Sequence, residues 1–183
     1  MASRIPELLD RLRSPRIFVV GDIILDRYVW GSVNRVSPEA PVQILNVGRE
    51  EFRAGGAANV ARNLVSLGAR GGCAGVVGAD EGGRLITGLL RRERINTSGL
   101  IVDRNKPTSV KTRMLAHNQQ MLRVDRERTD PITGTTERRL AAACVSAARR
   151  FDAAIVSDYN KGTLTRGVCQ SLIRSFNKEG RPV

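Results

Sequence analysis

Four sets of residues in this chain have types and spacings that could do chemistry. The first is Gly55, Gly56 and Asn59 in the stretch AGGAANVARNLVSLG. Glycines without a Cβ let the backbone approach a ligand closely. An asparagine in the first turn of a following helix adds an amide that both donates and accepts, where unpaired N–H groups and the helix dipole favour oxygen-rich or anionic groups. Taken alone, a glycine pair ahead of a helix is also what an ordinary tight turn needs. The second set is acidic: Asp22 and Asp26 in GDIILDRYVWG can accept hydrogen bonds from ligand hydroxyls, although Asp22 equally suits a turn. The third is cationic. Lys111, Arg113 and Arg123 surround the polar HNQQ turn, and Lys111 and Arg113 alternate so as to share one strand face that could meet a phosphate. On spacing alone, a solvated strand face is the simpler account of them. Asp158 and Lys161 in SDYNKGTL add a carboxylate able to hold a metal or water and an ammonium able to neutralise a phosphoryl group; for Asp158 a cap or turn role competes.

These residues require elements to position them. Val60, Leu64 and Leu67 fall at helical spacing behind the glycine pair, with Gly68 in the place of a left-handed C-cap and the apolar run Cys73 to Val77 returning as a strand. Ile17 to Val20 reads as a first parallel strand after a polar helical lead-in within residues 1–16, so Asp22 and Asp26 follow its carboxyl end, where open α/β sheets bind ligands. Helices are expected over Glu81 to Glu93, Glu137 to Arg150 and Leu164 to Phe176, and strands over Leu100 to Val102, Ser109 to Leu115 and Ala153 to Val156. Between Trp30 and Arg53 the pattern turns extended, with the prolines of SPEAP excluding a helix interior.

The chain has 183 residues, 41% of them hydrophobic, which suits one globular core. No apolar run reaches the ~18 residues of a membrane-spanning helix, and the first residues mix Glu7 and Asp10 with arginines, so a cytoplasmic protein is expected. Cys73, Cys144 and Cys169 are dispersed in apolar settings and read as reduced buried thiols. The net charge of +12 raises nucleic-acid binding. Against it, the arginines are scattered and aromatic residues make up only 4% of the chain, too few for stacking platforms, so a bias towards phosphorylated small molecules is the better reading. His117, the one histidine, makes a poor case for catalysis.

The run Ala54 to Ala61 with Gly68 and Gly78 resembles the first signature of the PfkB/ribokinase family of carbohydrate kinases. VVGDIILDRYVWG, RVSPEAPV, NQQMLRVD and SDYNKGTL extend the resemblance over nearly the whole chain and towards the family's bacterial heptose-7-phosphate kinase branch, often fused to an ADP-heptose synthase domain. The resemblance implies a ribokinase-like three-layer α/β/α sandwich with a small β-lid, its lid strands roughly over 30–53 and 99–125. It implies transfer of phosphate from ATP, with Mg²⁺, to the anomeric hydroxyl of D-glycero-β-D-manno-heptose 7-phosphate, a step towards the lipopolysaccharide core. Sugar contacts carry over to Asp26, Gly55, Gly56 and Asn59, with Asp22 second to Asp26; Lys111, Arg113 and Arg123 would meet the substrate phosphate, and Asp158 and Lys161 the transferred phosphate or Mg²⁺. A homodimer through the lid strands is the implied partner, with no membrane and no specific nucleic acid. Another PfkB-type sugar kinase or a non-catalytic sugar-phosphate-binding module remains open. No Gly-Lys pair of a P-loop occurs, nor the GAGD segment that carries the family's catalytic base. Residues 1–183 are therefore expected to be the N-terminal portion of one kinase domain, lacking the nucleotide-binding half, unable to complete transfer alone and prone to associate through an uncovered sheet edge.

Overall fold

The computed structural model describes residues 15–183, so the lead-in expected over 1–16 lies almost wholly outside the described residues. Two four-stranded sheets form. The first is wholly parallel, in the order β5-β4-β1-β8, from β1 (Arg16–Gly21), β4 (Arg70–Gly78), β5 (Asn96–Asp103) and β8 (Ala153–Ser157). Its strands are short runs of β-branched and small residues, as sheets covered on both faces require. Helices α1 (Ala57–Ser66) and α2 (Glu81–Arg92) cover one face, where Ala58, Ala61, Ile86 and Leu90 meet Val19, Cys73 and Val77. Helices α3 (Gly134–Ala147) and α4 (Arg166–Lys178) cover the other, with Leu140, Cys144, Leu172 and Phe176 against Phe18, Val20 and Val76. Alternation along β1 sends Phe18 and Val20 to one core and Val19 to the other. The result is the three-layer α/β/α sandwich the sequence implied.

The second sheet runs β3-β2-β6-β7, from β2 (Ile23–Val36), β3 (Gln43–Gly56), β6 (Ser109–Ala116) and β7 (Gln119–Arg126). It differs from the expected lid at two points. The segment Ile23 to Val29, read only as a stretch following β1, is the start of a fourteen-residue strand. Strand Asn96–Asp103, whose end fell within the lid range of 99–125, pairs with β4 in the parallel sheet and buries Gly99 and Ile101 there, so that part of the lid begins at Ser109. β6 and β7 join through His117 and Asn118, both at positive φ (50° and 62°), the backbone of a tight two-residue hairpin. Asp80 ties the layers together. It caps α2 at the Gly83 amide, 2.9 Å away, and accepts from the Thr108 hydroxyl at 2.6 Å, so α2 and the start of β6 are fixed to each other.

Helix α1 closes as the glycine pattern implied: Gly68 stands at φ 97°, and the Ala69 amide returns to the Leu64 carbonyl at 3.0 Å. Cys73 and Cys144 are buried free thiols and Cys169 is partly buried. Among the described residues no helix is long and apolar enough to cross a membrane.

Candidate functional site: a cationic cavity between the lid and the parallel sheet

β1 is central in its sheet, with β4 on one side and β8 on the other. Its carboxyl end is therefore a switch point, the place where an open α/β sheet leaves a crevice. The chain leaves β1 at Gly21 and enters the lid as β2; it comes back down β3 and turns at Gly56 directly into α1. The crevice is thus roofed by the lid sheet and floored by the start of α1.

Strand register decides which lid side chains face the crevice. Asp26 stands opposite Arg53 on β3 and Lys111 on β6, and Lys111 opposite Asp125 on β7. One step along, Tyr28 stands opposite Glu51 and Arg113, and Arg113 opposite Arg123. Residues directly opposite share a face, as do residues two apart on a strand, so these two rows form one surface. Beneath it is a cavity of about 460 Å³. Asp26 from β2, Gly55 and Gly56 from the end of β3, Asn59 from α1, Lys111 and Arg113 from β6 and Arg123 from β7 all line it. The sugar and phosphate ligands expected from sequence, drawn from segments up to about a hundred residues apart, share one wall.

The glycine pair acts through two different geometries. Gly56 sits at φ 56°, ψ −136°, a conformation essentially confined to glycine, and a Cβ there would overlap the Asp22 carbonyl oxygen. That carbonyl accepts the Ala57 amide at 2.9 Å, which pins the start of α1. The first turn has neither a side-chain cap nor an acidic residue, so the amides that follow Ala57 have no side-chain acceptor and could meet a ligand's oxygens. A Cβ on Gly55 would instead press on Asp26, against Oδ2 and 3.2 Å from Cγ. Asp26 lies between Gly55 and Arg113, whose Nη1 donates to its Oδ1.

Four of the five cations of the cavity are paired with carboxylates that do not themselves line it. Glu51 accepts from Arg53 at 2.6 Å, Glu93 forms an ion pair with Arg62 at 2.9 Å, and Asp125 accepts from both Arg123 (3.0 Å) and Lys111 (2.8 Å). The hydrogen bond from Lys111 holds the Asp125 carboxyl below its ordinary range. Burial opposes ionisation of Glu127, but hydrogen bonds from Lys161 and Lys111 outweigh it and its pKa also falls. Fixed cations, one forward carboxylate, an exposed amide side chain and free helix amides suit a polyhydroxylated ligand bearing an anionic group.

The remaining predicted residues stand elsewhere. Asp22 is 1% exposed and does not line the cavity; its carboxylate accepts from the amides of Tyr159 (2.8 Å), Lys161 (3.1 Å) and Thr163 (3.2 Å), so it organises the loop after β8 and is not placed to hold a sugar. Asp158 is exposed and accepts the Asn160 amide at 2.8 Å, the turn geometry that was the competing account of it. Lys161 points to Glu127, 2.7 Å away, outside the cavity wall. Tyr28, Arg53, Arg62 and Tyr159 line the cavity without having been singled out. Arg62 follows Asn59 by three, so the helix period pointed to it; Tyr28, Arg53 and Tyr159 needed the register of β2 and β3 and the course of the β8 loop.

A profile of pfkB family carbohydrate kinases matches residues 14–170. The chain is 45% identical over 181 residues to the bifunctional protein HldE of Syntrophotalea carbinolica, and 46% identical over 165 residues to that of Geobacter sulfurreducens. These matches cover 99% and 90% of this chain but only 37% and 34% of those proteins. Among solved structures, an Agrobacterium tumefaciens carbohydrate kinase superposes with a TM-score of 0.68 at 21% identity, over 92% of this chain and 52% of that one. Arabidopsis thaliana ribokinase complexed with ribose and ATP gives 0.63 at 18% identity, over 93% and 52%, a likeness of fold.

Proposed function

Since the chain belongs to the pfkB family of carbohydrate kinases, we propose that it forms the sugar-binding side of a kinase acting on the anomeric hydroxyl of D-glycero-β-D-manno-heptose 7-phosphate, with ATP as donor, on the route to ADP-heptose and the lipopolysaccharide core. The carrying observation is the convergence of Asp26, Gly55, Gly56 and Asn59 with Lys111, Arg113 and Arg123 on one cavity. In this reading Asp26, Asn59 and the amides at the start of α1 hold the sugar hydroxyls. The arginine pair Arg113 and Arg123 takes the phosphate at the far end of the substrate. Arg113 and Arg123 stand directly opposite on neighbouring strands, paired with Asp26 and Asp125, and a phosphate between them would add to the charge that offsets this like-charge pair. Holding the sugar with its reacting hydroxyl fixed is most of what this side of a phosphoryl-transfer site contributes.

ATP and Mg²⁺ are the cofactors this reading requires. Among the described residues no three carboxylate, histidine or cysteine side chains gather as a metal site, and Asp158 is turned to a backbone amide, so no step is assigned to Mg²⁺ here. Asp158 and Lys161 remain proposed neighbours of the transferred phosphate only through their place beyond β8. Residues 1–183 are read as part of one kinase domain whose lid strands also serve a homodimer, in the cytoplasm.

The test is calorimetric titration of the 183-residue protein. Heptose 7-phosphate is expected to bind, and unphosphorylated heptose at least tenfold more weakly, because Arg113 and Arg123 then go unused. Equal affinity for the two sugars refutes the assignment of the phosphate to those arginines; no binding of either refutes the substrate.

A further inference from the structure

Glu127 lies one residue beyond β7 and outside the cavity wall, yet it connects two things that matter to the cavity. Its Oε2 accepts from Lys111 Nζ at 3.3 Å and its Oε1 from Lys161 Nζ at 2.7 Å. The three side chains are only 15%, 18% and 19% exposed for Lys111, Glu127 and Lys161, so none of these charges is well solvated without the others. Lys111 belongs to the lid and lines the cavity; its ammonium has three N–H donors, of which Asp125 and Glu127 take two, leaving the third for a ligand. Lys161 belongs to the loop after β8, whose backbone hangs on Asp22 through the amides of Tyr159, Lys161 and Thr163 and which sends Tyr159 to the cavity wall.

We propose that Glu127 is a positioning residue for the sugar-phosphate cavity: one carboxylate holds Lys111 of the lid and Lys161 of the β8 loop, and so sets roof and rim against each other around the ligand. This rests on the proposed function for its ligand, but not for its geometry. Without the carboxylate, Lys161 loses the one ion pair it makes among the described residues while only 19% exposed, and turning its ammonium to water draws on the loop that carries it. Lys111 keeps Asp125 but loses one of the two struts that aim its free donor. A glutamine at 127 preserves shape and can still accept hydrogen bonds, but it cannot balance two ammonium groups.

The proposal is tested on the whole 183-residue protein with Glu127→Gln, Lys161→Met, the double variant and Glu127→Asp, each first checked for a cooperative melt. Hydrogen exchange, which needs no ligand, is expected to rise about tenfold at Tyr159, Lys161 and Thr163 in Glu127→Gln and to return part of the way in Glu127→Asp. Affinity for heptose 7-phosphate is expected to fall about tenfold in Glu127→Gln, and the double variant to be no weaker than the worse single, because the two residues act through one contact. Unchanged exchange in Glu127→Gln overturns the proposal whether or not any ligand binds. So does unchanged affinity, or a double variant whose loss is the product of the two singles. A wild-type protein that ignores heptose 7-phosphate while its loop still loosens in Glu127→Gln refutes the substrate reading and leaves the Glu127 bridge standing.

Discussion

Replacing Gly55 and Gly56 separately by alanine should give two opposite phenotypes, although the residues are neighbours in the same motif. At Gly56 the backbone sits at φ 56°, ψ −136°, where a side chain costs about 1–3 kcal/mol in conformation alone. The new Cβ also overlaps the Asp22 carbonyl oxygen, and that carbonyl cannot retreat freely. It accepts the first amide of α1, and the carboxylate of the same residue holds three amides of the β8 loop. Strain plus loss of part of this network places Gly56→Ala at about 3–5 kcal/mol, in the range of the more damaging substitutions. For a domain of this size that is a fall in melting temperature of roughly 6–20 °C. Gly55 has no such conformational demand. Its Cβ would press on the end of the Asp26 side chain and meet Ile24 Cγ2 at 3.2 Å; rotation of Asp26 and a shift of a few tenths of an ångström in Ile24 relieve these at a cost of about 1 kcal/mol, leaving the fold intact and the carboxylate misdirected. Calorimetry and a thermal melt on the two variants separate the effects: Gly55→Ala should melt within a few degrees of wild type, by the same scaling, and bind heptose 7-phosphate at least tenfold more weakly. A Gly56→Ala protein melting within about 2 °C of wild type, or a Gly55→Ala protein that binds normally, refutes the geometric division of labour.

Two further outcomes follow from ionisation. Burial pushes the Cys73 and Cys144 thiols up to about 12, while Cys169 is only partly buried. A thiol reagent at pH 8 should therefore modify at most Cys169 in the native protein and all three cysteines after denaturation, read by mass spectrometry; fast native labelling of Cys73 would refute the core packing. Hydrogen bonds from Arg16 hold the Asp152 carboxyl at about 2, well below its ordinary value of 3.8. A depressed carboxylate stabilises the fold above its unfolded pKa and loses that contribution as pH falls through the folded one. The melting-temperature gap between wild type and Asp152→Asn should thus be present at pH 6 and close between about pH 4 and pH 2. It should be small throughout, since both partners are more than 40% exposed, and a gap that widens on acidification would contradict the assignment.

The parts of this molecule legible in the sequence are those set by local chemistry. Helical spacing behind Gly56 located α1 within a residue or two, and apolar runs located β1, β4 and β8, because burial on both faces leaves little choice of residue there. β2 was harder: Ile23 to Leu25 is apolar without alternation and is followed by Asp26, Arg27 and Tyr28, so neither the strand period nor a turn signal stands out. The strand character of Ile23 to Tyr28 comes from pairing with distant partners, Gly56 to Glu51 on β3 and, from Ile24, Ser109 to Arg113 on β6. The same dependence hid Arg53. Asp22 shows the limit from the other side, since its type and position suited a ligand and only the fold reveals three backbone amides already occupying it.

The charge of the chain takes on a different meaning once the cavity is in view. A net charge of +12 on the sequence suggests a broad electrostatic surface, but the cations around the cavity do not act as loose counter-ions. Arg53, Arg62, Lys111 and Arg123 are each fixed by a carboxylate that does not line the cavity, and only Asp26 faces inward to pair with Arg113. For Lys111, 15% exposed and held by Asp125, pinning before the ligand arrives removes rotamer entropy that binding would otherwise have to overcome, about 0.5–1.5 kcal/mol. Arg53, Arg62 and Arg123 are more than 40% exposed and their surface pairs hold them less firmly. The pairing also limits what the cavity accepts. A nucleic-acid backbone needs a continuous row of exposed cations, whereas these five converge on a space of about 460 Å³, which suits one small anion-bearing molecule. On the proposed reading Asp26 would be the point of selection: a ligand offering hydroxyls to replace the guanidinium on its Oδ1 and an anionic group for the released Arg113 would meet both demands, as a sugar phosphate does and as a neutral sugar or inorganic phosphate alone does not.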